Sequence, residues 1–301
     1  MIDYSGRLPG LTMPHVGGMG LALVFARLLI ASEFITYGIR KFLHPENIYG
    51  LIEAHHLPGE LVYLVIPWQI GFGLAVVLGL QTRLAAIALF GFCVIAPSIF
   101  WLDNLQNLTR DYATAGGFVF LLVFGPGPIS LDASYGRGGR DLALKLLPKR
   151  WDSQLLADKA LVFGRALMAT PFLADMFRKV IDSTQEQTLL QSSGVPASFV
   201  YVLIIIESVS ALMLLVGYCS RLAATILIVW SLVLAFDLHG PASFLGLGTE
   251  SFSTIVHNLF QKSGGTLSSF YKDIAVAGAL LMLVVHGPGQ WSWDARSRNS
   301  S

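Results

Sequence analysis

The sequence predicts an all-α, polytopic membrane protein of about eight transmembrane helices, arranged as two parallel four-helix repeats. Three observations carry that expectation. The 301-residue chain is 54% hydrophobic and 13% charged, with a mean hydropathy of +0.63, a balance that a water-facing surface does not accommodate. Apolar stretches follow one another along the chain, each close to the roughly 20 helical residues needed to cross a hydrocarbon core. Residue strings from the first half also recur in the second at a fixed offset.

The first four spans are expected at Gly17–Ile39, Glu60–Leu80, Leu84–Leu102 and about Asn107–Phe124. After a polar, basic stretch come Leu161–Phe177, Ala197–Gly217, Leu222–Leu238 and a last segment ending at His286. The first stretch is too long for a cleavable signal peptide, carries Arg27 and Glu33, and has no small-residue cleavage pattern after it, so it is expected to stay in the membrane. Cys93 falls inside the third span and Cys219 in a turn, with no metal-like spacing. A net charge of +1 without a concentrated basic face argues against a nucleic-acid partner.

The repeat begins where Ala22-Leu23-Val24-Phe25 and Arg27 return as Ala160-Leu161-Val162-Phe163 and Arg165, an offset of 138 (165 − 27). It runs on through Arg40-Lys41 against Arg178-Lys179 and Arg83-Leu84-Ala85-Ala86 against Arg221-Leu222-Ala223-Ala224. Beyond that, Arg110-Asp111 matches Lys272-Asp273, and Gly125-Pro126-Gly127 with Ser130 and Asp132 matches Gly287-Pro288-Gly289 with Ser292 and Asp294, now at an offset of 162 (294 − 132). These matches delimit a first unit at 17–132, a basic linker at 133–159 and a second unit at 160–295 with an extra outer segment at about 240–269. Four spans per unit bring the chain back to its starting side, so the units are expected to share one orientation.

Lysine and arginine placement sets the expected topology. Arg7, Arg83, Arg137, Arg140, Lys145, Lys149, Arg150, Lys159, Arg221, Arg296 and Arg298 fall on one side, against Arg40, Lys41, Arg110, Arg178, Lys179, Lys262 and Lys272 on the other. Both termini are therefore expected in the cytoplasm. The linker, with Leu142, Leu144, Leu146 and Leu147 among Lys145, Lys149 and Arg150, reads either as a helix lying on the membrane surface or as a solvated connector.

A first-helix arginine (Arg27, Arg165), a glycine and lysine at that helix's end (Gly38, Lys41), the turn Gly79-Leu80-Gln81-Thr82-Arg83 and the Gly-Pro-Gly-x-x-Ser-x-Asp string after the fourth helix together resemble the DoxX family, twice over. The second copy departs at Met176 and Tyr218, where the first has Gly38 and Leu80, and Pro128 and Gln290 stand where the family usually has a basic residue. The resemblance implies a four-helix membrane unit associated with redox chemistry, the family including the membrane subunit of a thiosulfate:quinone oxidoreductase. It also implies a bacterial or archaeal cytoplasmic membrane.

Ionisable groups in hydrocarbon cost several kcal/mol unless paired, so they are the first places to look for function. At about 1.5 Å per residue, Arg27 comes at about 15 Å from the inner boundary, Gln69 at about 18 Å, Asp111 at about 20 Å and Glu33 at about 24 Å. The second copy sets Arg165 and Glu207 at one level with Asp273 close by, and an Arg165–Glu207 pair is expected. Glu33, Tyr37 and Arg40 share one helical face, while Arg27 and Lys41 share another. Arg40, Lys41, Arg178 and Lys179 at the outer helix ends read either as charges complementing helix C-termini or as anion or partner contacts.

Two readings of the charged layer stand side by side. In one the charges fasten helices together. In the other they line a slot where Arg27 or Arg165 donates to a quinone head group, with protons exchanged through Glu33, Glu207 or Asp111. The chain lacks CxxC pairs, haem-attachment strings and a Gly-rich nucleotide fingerprint, so it is not expected to carry electrons alone. The leading expectation is a quinone-binding membrane subunit that docks a soluble or membrane redox partner. A non-enzymatic anchor or assembly factor and a small-solute transporter are the alternatives.

Overall fold

A computed structural model describes residues 18–134, 154–192, 196–233, 235–236 and 265–299. Among these residues the protein is all-α. The first half contains α1 (Gly18–Leu43), a short α2 (Glu46–Ala54), α3 (Leu61–Leu78), α4 (Thr82–Phe100), α5 (Leu105–Phe124) and a single turn, α6 (Leu131–Ser134). The second contains α7 (Gln154–Ile181), α8 (Thr184–Ser192), α9 (Phe199–Val216), α10 (Ser220–Val233), α11 (Gly265–His286) and α12 (Trp293–Asn299).

Six of these helices, α1, α3, α4, α7, α9 and α11, are long and apolar enough to cross a membrane. Two of the eight expected spans differ. α5 is 20 residues long, but it opens on polar residues and carries Arg110 and Asp111. Most of its residues are buried against other helices, so it need not offer lipid an apolar surface. α10 covers 14 residues among those described. The linker helix expected around Leu142–Arg150 and most of the segment expected at 240–269 lie outside the described residues. The linker's expected end moves back, since α7 already runs from Gln154 and includes Lys159.

Helix boundaries follow from glycine in left-handed backbone. Gly79 (φ +67°) ends α3 and Gly217 (φ +80°) ends α9, where the absence of a Cβ makes that conformation inexpensive. Leu80 N–H donates to the Ala75 carbonyl at 2.9 Å and Tyr218 N–H to that of Met213 at 2.9 Å, so both helices close in the same way. Gly125 and Gly287, also at positive φ, end α5 and α11 as the Gly-Pro-Gly strings predict.

Within each half the helices pack in series, α1 on α3, α3 on α4 and α4 on α5, then α7 on α9, α9 on α10 and α10 on α11. The halves interlock through α5 and α11. α5 packs chiefly on α7, and α11 packs on α1. Small residues allow these approaches. A Cβ on Gly116 would lie 2.5 Å from the Gly164 carbonyl oxygen, and one on Gly278 would lie 2.9 Å from that of Ala26. α5 and α11 also touch each other at matching positions, Gly117 against Ala279 and the Phe124 ring stacked on that of His286 with centroids 4.0 Å apart. Lipid-facing apolar side chains, such as Leu64 and Leu74 on α3 and Ile205 and Leu212 on α9, cover the outside.

Candidate functional site

The polar groups fall into three sets. The first set lies where the Gly79 and Gly217 turns meet the Gly-Pro-Gly strings. Arg27, 1% exposed, donates from Nη2 to the Ile129 carbonyl at 2.6 Å, and Arg165 donates likewise to the Trp291 carbonyl at 2.8 Å. Each guanidinium occupies the space that a Cβ on Gly79 or Gly217 would need. Asp132 accepts from the backbone N–H groups of Gln81 and Thr82 at 2.7 and 2.9 Å and from the Thr82 hydroxyl at 2.8 Å. Asp294 does the same for Cys219 and Ser220, so a carboxylate supplies the N-terminal capping of α4 and of α10.

Arg27 and Arg165 are therefore clamps on a turn, and neither reaches the carboxyl layer. The expected Arg165–Glu207 pair is corrected. Helical side chains lean toward the helix N-terminus, and an arginine extends several ångströms further that way, so the guanidinium sits well short of the depth counted for its Cα.

The second set joins the two halves. Lys272 Nζ contacts Asp111 Oδ2 at 2.8 Å, and Arg110 Nε contacts Asp273 Oδ1 at 3.0 Å. Each basic residue thus pairs with the acidic residue of the other half, not with its own neighbour. All four are largely buried, where paired charges hold and single ones are costly.

The third set surrounds a cavity of about 620 Å³ between α1, α2, α3 and α4. Its walls are mostly apolar, including Ile52, Trp68, Phe92, Cys93 and Phe100. Glu33, Tyr37, Lys41, Gln69, Asp111 and Lys272 supply its polar lining. Lys41 Nζ donates to Gln69 Oε1 at 2.7 Å and stands 5.6 Å from the centroid of the Phe92 ring. Glu33 is 4% exposed and lines the cavity together with Asp111, and its Oε2 has no hydrogen-bond partner among the described residues. Trp68, Ile95 and Ile99 line the cavity and are exposed side chains of α3 and α4, two helices apolar enough to cross a membrane. A Cβ on Gly91, in the same wall, meets nothing within 4 Å.

Of the residues singled out by sequence, Glu33, Tyr37, Lys41, Gln69 and Asp111 are brought together. Lys41 joins Glu33 and Tyr37, not Arg27, because its long side chain also leans back along α1. Arg40 is half-buried, engaged in polar contact and not in the cavity lining. In the second half Lys179 is ion-paired with Glu207 and lies 3.6 Å from Asp175, and Arg178 is paired with Asp175 at 3.4 Å and with Glu186. Asp273 belongs to the interlock. Lys272 and Trp68 were not singled out as site residues. The match of Lys272 with Arg110 was a usable signal, since two like sequences meeting face to face exchange partners.

Comparison with known proteins agrees with the motifs. The DoxX family model matches residues 22–123 and again 160–240. The chain is 29% identical over 136 residues to the inner membrane protein YqjF of Escherichia coli, covering 44% of this chain and 95% of that protein. It is 30% identical over 129 residues to an uncharacterized membrane protein of Mycobacterium tuberculosis, covering 37% of this chain and 79% of that one. It is 26% identical over 123 residues to the inner membrane protein YphA of Escherichia coli, covering 36% and 87%. No solved structure matches significantly. With the family model matched in both halves and over more than half of its length, this chain belongs to the DoxX family of membrane proteins and resides in the lipid bilayer.

Proposed function

We propose that this chain is the membrane subunit of a redox system, binding the head group of a quinone or quinol in the cavity of its first half and docking a separate catalytic protein. The observation that carries the reading is the convergence of Glu33, Lys41, Gln69 and Asp111 on one otherwise apolar cavity walled in part by α3 and α4, helices apolar enough to cross a membrane. Its volume of about 620 Å³ falls within the roughly 300–1,000 Å³ common for small-molecule sites. In this reading Lys41 donates to a ring oxygen, with Gln69 holding the ammonium in place. Glu33, through its unpartnered Oε2, and Asp111 hold and pass on a proton. Trp68 and Phe92 flank the ring, and the gap between α3 and α4 admits the tail. When bound, the quinone supplies the two-electron chemistry, and electrons reach it from the docked protein. Arg27 and Arg165 take no part.

The architecture in this reading is eight helices in two parallel four-helix units. The constant sequence offset, the exchanged ion pairs and the matched contacts of α5 with α11 support it. Relatives of which single lengths cover less than half of this chain support it too. The membrane is the cytoplasmic one, as those relatives' names indicate, and both termini face the cytoplasm by the distribution of lysine and arginine.

The test is purification in mild detergent followed by quinone quantification. Wild type is expected to carry about one quinone per chain. Gly91→Leu, which fills the wall where a Cβ meets nothing, is expected to lose at least tenfold with an unchanged unfolding midpoint. Quinone no higher than in bulk lipid removes the redox reading in favour of an anchor or assembly factor, and solute uptake into proteoliposomes would favour a transporter.

A further inference from the structure

The two halves place the same lysine at corresponding positions, and the residues around it differ. Lys41 and Lys179 each stand over an aromatic ring at matching positions, Phe92 at 5.6 Å and Trp230 at 5.2 Å. Lys41 donates to a neutral amide, that of Gln69, at 2.7 Å. Lys179 meets a carboxylate at the matching position, Glu207, and a second one, Asp175, at 3.6 Å where the first half has Tyr37. Arg178 beside it is taken up by Asp175 and Glu186. The buried carboxyl of Glu33 is replaced by Pro171.

We infer that, of the two matching lysine sites among the described residues, only the first-half one takes a ligand, and that the neutral side chain at position 69 keeps that site receptive. An amide oxygen positions an ammonium without neutralising it. The remaining N–H groups of Lys41 then face the cavity with their charge available to a ligand oxygen that bears negative charge. A carboxylate at the same place closes the lysine into an ion pair, as Glu207 does for Lys179, and a ligand would have to break that pair to bind. The second half is the support. It reaches into the first-half site through Lys272, which lines the cavity and holds Asp111. This inference rests on the quinone reading of the cavity. It adds that Gln69 decides which half binds and that neither half makes the site alone.

The experiment uses the full chain and two readouts. Gln69→Glu keeps the side-chain shape and adds the charge. Quinone per chain is expected to stay at about one in wild type and in Glu207→Gln, where Lys179 retains Asp175, and to fall at least tenfold in Gln69→Glu. The second readout is alkylation of a cysteine placed in each half, Gly91→Cys or Val229→Cys. Gly91 has open space and Val229 is exposed, so neither change disturbs packing. The exposed Cys219 serves as the reference thiol. Added decylubiquinone is expected to slow alkylation at position 91 several-fold, to leave position 229 unaffected, and to lose its effect at 91 when Gln69→Glu is added. About two quinones per chain, protection at 229, or undiminished protection at 91 with Gln69→Glu overturns the single-site inference while the quinone reading stands. A wild type with no bound quinone and no protection at either position overturns both.

Discussion

Lys272→Met removes one member of a buried ion pair while keeping most of the side chain's length and apolar volume. Lys272 Nζ lies 2.8 Å from Asp111 Oδ2, with side-chain exposures of 5% and 11%, so solvent does little to screen what is left behind. Asp111 would remain buried with the Glu33 carboxyl beside it and no facing cation at contact distance. Breaking such a pair from one side costs about 3–5 kcal/mol. At roughly 2 °C per kcal/mol, the thermal midpoint in detergent should fall by about 6–10 °C. The double variant with Asp111→Asn removes the stranded charge and should recover more than half of that loss. A double-mutant cycle read by thermal unfolding measures this coupling between two residues 161 positions apart. A single variant as stable as wild type, or effects that merely add, would show that the halves are not held by this pair.

Three further outcomes follow from the geometry. Arg27→Lys loses the guanidinium that reaches the Ile129 carbonyl, so it should lower the thermal midpoint while leaving bound quinone per folded chain unchanged; loss of quinone at full stability would return Arg27 to the ligand site. Gly117→Val places side-chain atoms where a Cβ already lies 2.7 Å from that of Ala279, and the overpacking of α5 against α11 should cost about 1–3 kcal/mol, seen as a lower unfolding midpoint. Asp132→Ala removes the acceptor of the Gln81 and Thr82 N–H groups and should cost about 1–2 kcal/mol, with faster amide exchange confined to the start of α4.

The helices and the turns that end them were legible in the sequence because their causes are local. Apolar length predicts α1, α3 and α4, and glycine at 79, 125, 217 and 287 predicts where helices stop. The charged layer was legible only in part. Position along a helix gives the depth of a Cα, whereas Arg27 and Lys41 carry their charge several ångströms toward the N-terminus. That displacement takes Arg27 away from the carboxyls and brings Lys41 in from the helix end to Gln69. Pairing across the two halves was legible only through the repeat, because Arg110 and Asp111 are adjacent in sequence and nothing local, apart from their match with Lys272 and Asp273, says that each finds its partner on α11. The cavity depends on how α3 and α4 meet around Gly91, where a Cβ would touch nothing, and composition does not report that.

The central claim is that a quinone occupies the first-half cavity. It is tested most directly by photolabelling the purified protein with an azidoquinone and mapping the modified peptides by mass spectrometry. The account predicts label on α3 and α4 around Trp68 and Phe92–Ile99, suppressed by excess unlabelled quinone and absent in Gly91→Leu. Label spread over all lipid-facing helices and insensitive to competition would contradict it.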